Sequence, residues 1–213
     1  NPERPFTAVG GGAKVSSKIG VLENLLDKVD NMIIGGGMAY TFVKANGGKI
    51  GNSICEDDQI ETAKAIEKKA AEKGVKLVMA TDVLVTDDFS GNGTNKFVKI
   101  NEIPDGFEGV DAGPDSRKAF ADVLKSSKTI LMNGPVGAFE NPKFAEGTKA
   151  VLEAIVEATK AGATSVIGGG DSVSAAKKFF KAEDFTHVST GGGASLEFIE
   201  GKVLPGVAAL DDK

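Results

Sequence analysis

Short apolar segments alternate with longer amphipathic segments along almost the whole chain. β-branched and other apolar residues predict buried strands at residues 6–9, 31–34, 76–80, 128–132, 164–167 and 187–190. Apolar residues at the helical period follow most of them, as with Val173, Ala176 and Phe180. Strands alternating with helices are typical of a parallel sheet covered on both faces. The pattern predicts a three-layer α/β/α Rossmann-like domain with a central, mostly parallel sheet of about six strands.

The stretch from residue 81 to residue 113 fits this alternation less well. Residues 83–85 extend the strand predicted at 76–80, and residues 96–100 alternate as a strand outside the parallel core. The paired acids Asp87 and Asp88 lie in a polar loop and are interpreted as solvated. Residues 103–113 are rich in glycine and proline, and we expect them to be irregular.

Four triple-glycine turns follow predicted strands, at residues 10–12, 35–37, 168–170 and 191–193. In a parallel sheet these turns share the carboxyl edge. Free backbone N–H groups and the positive end of a helix dipole favour phosphate there, and glycine lets a phosphate approach the backbone. The recurrence therefore indicates a phosphate or nucleotide site. For residues 35–37, contact with a flat base and close packing of helix on strand remain equal alternatives.

Charged and polar residues beside these turns narrow the chemistry. Val15, Ile19, Leu22, Leu26 and Val29 predict a helix whose first turn carries Lys14 and Lys18 on one face. Lysines there oppose the helix dipole by about 0.3–1 kcal/mol each, which suggests a compensating anion. Asp171 and Ser172 are good N-cap residues for the helix after glycines 168–170. Glu140 could accept hydrogen bonds from ribose or serve as a first-turn acid, and both interpretations stay open.

Composition excludes several classes of protein. The chain has 213 residues, 41% of them hydrophobic, which is enough for one large or two small domains. Its net charge of −5 argues against a general nucleic-acid binder. Cys55 is the only cysteine and His187 the only histidine; both are interpreted as structural, Cys55 as a small buried residue, and a disulfide framework is excluded. No apolar run reaches membrane-spanning length. The first residues, without an initiator Met, suggest a piece of a longer protein.

Several motifs together resemble one enzyme family. The motifs are Arg4-Pro-Phe, Gly11-Gly-Ala-Lys-Val15, Ile33-Ile-Gly-Gly-Gly-Met-Ala39, Asn133-Gly-Pro-Val-Gly-Ala-Phe-Glu140, Ile167-Gly-Gly-Gly-Asp171, Ser189-Thr-Gly-Gly-Gly-Ala-Ser195 and Gly201-Lys-Val-Leu-Pro-Gly-Val207. The chain is similar over essentially its whole length to the C-terminal, nucleotide-binding domain of the phosphoglycerate kinases. That family transfers a phosphoryl group between 1,3-bisphosphoglycerate and MgADP, giving 3-phosphoglycerate and MgATP in glycolysis.

The resemblance implies residues 1–213 as a single nucleotide-binding domain. The N-terminal domain with the 3-phosphoglycerate site is missing. We therefore expect a cytoplasmic, monomeric chain that binds ADP or ATP with Mg²⁺, without nucleic-acid or membrane partners. Turnover by the isolated chain should be small or absent, because the reaction needs a cleft closed by both domains.

The resemblance also implies roles for individual residues. Lys14, Gly170 and Gly193 would be catalytic, and Lys14 would stabilise the transferring phosphoryl group. Asp171 would bind Mg²⁺. The remaining expectations are nucleotide binding by Gly12, Ala13, Lys14, Lys18, Gly36, Gly37, Ile54, Val110, Asn133, Pro135, Val136, Glu140, Gly168, Gly169, Gly170, Asp171 and Ser172, and contact of Gly191, Gly192 and Gly193 with the transferred phosphate. Ser17 departs from the Asp that the family commonly has before the second lysine.

Overall fold

The computed structural model describes residues 2–199 and 201–210. Its strands are β1 (Phe6–Gly10), β2 (Asn31–Ile34), β3 (Lys49–Ile50), β4 (Lys76–Met79), β5 (Asp82–Thr86), β6 (Asn95–Lys99), β7 (Glu102–Ile103), β8 (Glu108–Ala112), β9 (Thr129–Asn133), β10 (Thr164–Gly168) and β11 (His187–Val188). Its α-helices are α1 (Ile19–Leu26), α2 (Ala39–Ala45), α3 (Ile60–Glu72), α4 (Pro114–Lys125), α5 (Glu146–Lys160), α6 (Gly170–Phe179), α7 (Gly192–Ile199) and α8 (Pro205–Ala208).

Six strands form one parallel sheet in the order β11-β10-β9-β1-β2-β4. Strand β1 is entirely buried and lies between β9 and β2, so the turn that follows it has a strand end on either side. Two apolar clusters cover the sheet. One includes Phe120 of α4 and Ile155 of α5, and the other includes Leu22 of α1 and Ile66 of α3. The predicted three-layer fold and six-stranded parallel sheet are confirmed.

A second, antiparallel sheet has the order β6-β5-β8. The strand predicted at residues 96–100 is confirmed as β6. Two other predictions for this region are wrong: residues 83–85 belong to β5 rather than extending β4, and residues 103–113 contain β8. The sequence Glu-Gly-Val-Asp-Ala of β8 hides its strand character, because glycine and two acids interrupt the alternation although Asp111 is buried.

Helix α1 begins at Ile19, later than its apolar period suggests. Residues 14–18 form a turn in which the Lys18 N–H donates to the Val15 carbonyl at 2.8 Å. Val15 is fully buried, so its apolar character serves packing of the turn rather than a helix face. The prediction that Lys14 and Lys18 lie in the first helical turn is therefore wrong: Lys18 is the N-cap and Lys14 precedes it.

The N-terminus of α6 also differs from its prediction. Gly169 is the N-cap, with φ of +83°, and the helix begins at Gly170, so neither Asp171 nor Ser172 caps it. A positive φ is accessible to glycine at little cost, which explains why the N-cap lies two residues before Asp171. The Ser172 hydroxyl is used instead by a neighbouring loop.

Other local expectations have mixed outcomes. Cys55 is half-buried rather than fully buried, and His187, although in strand β11, is exposed. The loop acids Asp87 and Asp88 are exposed, as expected. Within the described ranges, no helix is long and apolar enough to cross a membrane.

Candidate functional site

The turns after β1, β2 and β9 are joined through their backbones at the carboxyl edge of the sheet. The Gly12 N–H donates to the Pro135 carbonyl at 3.0 Å, and the Gly36 N–H donates to the Val136 carbonyl at 3.2 Å. A Cβ on Gly36 would lie 2.7 Å from the Gly12 nitrogen. The second glycine turn therefore packs closely against the first turn and the turn after β9, which is packing of turn on turn rather than of helix on strand. Contact of this turn with a flat base stays a prediction.

A cavity of about 310 Å³ opens above these turns. Backbone of the glycine turns and mostly apolar side chains enclose it, and we call it the apolar cavity. Its lining consists of Gly12, Ala13, Gly36, Gly37, Tyr40, Ile54, Phe89, Glu108, Gly109, Val110, Pro135, Val136, Gly137, Ala138, Glu140 and Asp171. The exposed Glu140 and Asp171 give it an acidic margin.

A second cavity of about 350 Å³ adjoins the first. Its lining, which defines the polar cavity, is Gly12, Ala13, Lys14, Ser17, Lys18, Gly134, Gly169, Gly170, Asp171 and Ser172. Gly12, Ala13 and Asp171 line both cavities, so a single elongated ligand could occupy the two together. A larger hollow of about 930 Å³ lies by β7 and contains none of the residues predicted for the site.

A hydrogen bond to Asn133 holds the Lys18 side chain, which lines the polar cavity. Its Nζ donates to Asn133 Oδ1 at the end of β9. Partial burial lowers the pKa of Lys18, and the nearby Asp171 carboxylate partly offsets this effect. The Asn133 Nδ2 is buried and, among the residues described, has no hydrogen-bond partner. A buried donor and a cation therefore meet beside the sheet edge, which suits an anion.

The start of α6 forms the opposite wall of the polar cavity. Gly170 and Asp171 are exposed, while Gly169 and Ser172 are buried. A Cβ added to Gly170 would meet no atom within 4 Å, so the backbone there is open to a ligand. The first N–H groups of a helix have no intrahelical acceptor, and together with the dipole they favour a phosphate.

Most of the residues predicted for the site meet at these two cavities, but not all. Asn133 and Gly168 are buried behind the lining, at the ends of β9 and β10. Among the described residues, Gly191 lines neither cavity, and Gly192 and Gly193 begin α7 beyond the edge strand β11.

Sequence reasoning missed several lining residues, chiefly Tyr40, Phe89 and Gly109. Phe89 comes from the polar loop after β5, is 55% exposed and packs on Phe144 with ring centroids 6.0 Å apart. A lone aromatic residue in a polar loop was its only signal. Tyr40 lies one helical turn after the second glycine turn, where an ordinary core residue would also be expected.

The parallel sheet and its joined glycine turns define an α/β domain of Rossmann-like architecture with its candidate site at the carboxyl edge. The family model described as phosphoglycerate kinase matches residues 1–202. The chain belongs to the phosphoglycerate kinase family.

Solved structures agree with this assignment. Phosphoglycerate kinase from Coxiella burnetii is 44% identical and superposes with a TM-score of 0.94, covering 98% of this chain and 53% of its own. Phosphoglycerate kinase from Pyrococcus horikoshii OT3 is 29% identical with a TM-score of 0.81, covering 98% of this chain and 52% of its own. The chain thus spans about half the length of these relatives.

Proposed function

We propose that this chain is the nucleotide-binding half of a phosphoglycerate kinase and binds ADP or ATP with Mg²⁺. The observation that carries the proposal is the pair of adjoining cavities, one apolar and one with two lysines, which share Gly12, Ala13 and Asp171. This arrangement matches the chemistry of a nucleotide, an apolar base joined to a chain of phosphates.

The base belongs in the apolar cavity. Gly36 and Gly37 offer a flat backbone wall, and Ile54, Val110 and Val136 supply apolar surface. Glu140 stands exposed at the margin, where its carboxylate can accept hydrogen bonds from ribose hydroxyls.

The phosphates belong in the polar cavity. Lys18 lies over its floor, Lys14 is exposed at its rim, and the first turn of α6 presents N–H groups at Gly170. Because the chain as a whole carries a net charge of −5, local donors rather than the overall field must hold the anion.

Mg²⁺ fits this site only together with a ligand. The polar cavity contains one carboxylate, Asp171, and the described residues include no group of three side chains that could hold a metal. Mg²⁺ is usually held by one or two carboxylates and by substrate phosphates, so Asp171 beside a bound ADP satisfies its chemistry. When bound, the ion would supply neutralisation of phosphate charge.

The reaction we propose for the whole enzyme moves a phosphoryl group between 1,3-bisphosphoglycerate and ADP, giving 3-phosphoglycerate and ATP. In the direction of ATP consumption the acceptor is a carboxylate that is already ionised, so no general base is needed. Lys14 and the N–H groups of Gly170 and of Gly191, Gly192 and Gly193 would stabilise the transferring group. The isolated chain should bind nucleotide with little or no turnover, since the second substrate and its domain are required.

Calorimetric titration of the chain with ADP, in the presence and absence of Mg²⁺, tests the proposal. The expected result is saturable binding at one site that is tighter with Mg²⁺. Absence of heat at millimolar ADP, from a chain that circular dichroism shows to be folded, would overturn it.

A further inference from the structure

Glu56 joins the loop after β3 to the lysine-bearing turn, 40 residues away in sequence. Its carboxylate accepts two hydrogen bonds from one residue: from the Ser16 N–H at 3.0 Å and from the Ser16 hydroxyl at 2.5 Å. Hydrogen bonds to a charged acceptor are stronger than neutral ones, and two on a single residue fix orientation as well as distance.

Ser16 is the central residue of the turn, flanked by Lys14 and Lys18 at equal separation. Inside the turn, the Ser17 hydroxyl donates to the Lys14 carbonyl at 2.8 Å. That contact and the Lys18–Val15 backbone bond shape the turn but do not attach its exposed side to the rest of the chain. The two Glu56 bonds provide this attachment.

Glu56 is itself held in place from the opposite side. Its backbone N–H donates to the Thr41 hydroxyl of α2 at 3.2 Å, and the next residue, Asp57, forms an ion pair of 2.7 Å with Lys44 of the same helix. The carboxylate therefore projects from a segment anchored to α2, and it can carry the rigidity of that helix to the turn.

The same segment borders the apolar cavity. Ile54 lines that cavity and packs closely on Gly37: a Cβ on Gly37 would lie 2.7 Å from the Ile54 Cγ2. One short stretch of chain thus contacts the apolar cavity through Ile54 and the lysine turn through Glu56.

We propose that Glu56 is a positioning residue for phosphate binding: it holds the turn of residues 14–18 so that Lys14 and Lys18 face the polar cavity. The inference rests on the proposed function. It assigns Glu56 no contact with the nucleotide; its effect passes through Ser16 to the two lysines.

The test compares the affinities of ADP and adenosine, measured by titration calorimetry, in three variants of this chain. Glu56→Ala removes both acceptors, and Glu56→Gln keeps one acceptor oxygen for Ser16. Glu61→Ala is the matched control, since Glu61 is an exposed acid whose ion pair with Lys64, at 2.8 Å, lies within α3.

Glu56→Ala should weaken ADP binding about five- to tenfold, because the lysine turn must then be ordered when ADP binds, and leave adenosine affinity unchanged. Glu56→Gln should weaken ADP binding by only about twofold, and Glu61→Ala should have no effect. An equal loss of affinity for ADP and adenosine would indicate a merely structural role and overturn the inference.

Two further outcomes separate this inference from the proposed function. If the unmodified chain binds ADP and Glu56→Ala binds it equally well, only the positioning role is wrong. If the unmodified, folded chain does not bind ADP, both are wrong. Thermal unfolding of each variant, followed by circular dichroism, checks that the comparison is made between folded proteins.

Discussion

The hydroxyl oxygen of Ser172 accepts a hydrogen bond of 2.5 Å from the backbone N–H of Gly134. Ser172 is fully buried in the first turn of α6, and Gly134 is buried in the turn after β9. Both residues line the polar cavity, so this bond fixes one wall of the candidate site against the next.

Ser172→Ala should destabilise the fold by about 1–3 kcal/mol, because it leaves the buried Gly134 N–H without its acceptor. Urea denaturation followed by circular dichroism measures the change. Ser174→Ala, at an exposed position two residues further along the same helix, is the control and should change the free energy of unfolding by less than about 0.5 kcal/mol. Equal stability of the two variants would show that the Ser172 bond contributes nothing.

A second prediction concerns Gly36, because Gly74 has nearly the same backbone φ and serves as its control. Gly36 has φ of +69° and Gly74 has φ of +68°, but a Cβ at Gly36 would lie 2.7 Å from the Gly12 nitrogen, whereas one at Gly74 would meet nothing within 4 Å. Gly74→Ala should cost only the left-handed conformation, about 1–2 kcal/mol.

Gly36→Ala should lower the free energy of unfolding by at least about 2 kcal/mol more than Gly74→Ala, since backbone must also move. The same urea titration compares them. If both variants lose the same stability, the close approach of the first and second glycine turns is not important for the fold.

The sequence predicted the parallel sheet well because its central strands, β9, β1 and β2, are largely buried. Strands such as β2 and β9 are nearly continuous apolar runs with glycine or asparagine at their ends, a pattern that few other structures produce. Strand β8 escaped prediction because tertiary packing, not local pattern, buries Asp111. The start of α1 was misplaced because Val15 has the right spacing for a helix yet packs from a turn.

The sequence predicted many of the lining residues that come shortly after β1, β2, β9 and β10, and it missed residues such as Phe89 that a distant loop brings to the cavity. Gly12, Gly36 and Asp171 closely follow β1, β2 and β10, so topology alone brings them to one edge. Gly191 also follows a strand, β11, but does not line either cavity. Phe89 reaches the apolar cavity from the loop between β5 and β6 of the antiparallel sheet, and no local pattern of the sequence predicts that position.

Asp111 should make the stability of the fold depend on pH. It is buried and accepts a hydrogen bond from the Gly147 N–H at 2.8 Å, while its Oδ1 has no partner in the described part of the chain. Burial raises the pKa of Asp111 to about 7; the hydrogen bond from Gly147 and the nearby Arg117 oppose this increase in part, and Glu146 adds to it. The folded chain therefore holds a proton that the unfolded chain releases above about pH 4.

Because the folded pKa is the higher one, stability due to this group is present at low pH and is lost as pH rises to about 7. Asp111→Asn, which cannot ionise, should gain about 2 kcal/mol relative to the unmodified chain between pH 5 and pH 7. Urea titrations at both pH values measure this difference. Asp105→Asn, at an exposed acid, should leave the pH dependence unchanged; the same behaviour in Asp111→Asn would contradict the assignment.

Lys18 should contribute much more than Lys14 to ADP binding, as expected if Lys14 acts mainly on the transferring phosphoryl group. Lys18 is half-buried against Asn133, whereas Lys14 is exposed at the rim of the polar cavity. Lys18→Ala should weaken ADP binding about tenfold or more, and Lys14→Ala by only about twofold, because a solvated charge contributes little to ground-state binding. Titration calorimetry measures both, and equal losses would show that the lysines do not have separate roles.

The Asp171 carboxylate should strengthen ADP binding when Mg²⁺ is present and weaken it when Mg²⁺ is absent. Its exposed carboxylate lines both cavities, so without the metal it repels the phosphates of ADP, and with the metal it helps to hold the complex. Asp171→Asn should weaken ADP binding about tenfold with Mg²⁺ present and strengthen it modestly, by about twofold, in EDTA. Calorimetric titrations under the two conditions measure the effect, with Glu183→Gln as an exposed acid outside both cavities for comparison. A loss of affinity that is the same with and without Mg²⁺ would mean that Asp171 supports the fold of the α6 terminus rather than the metal.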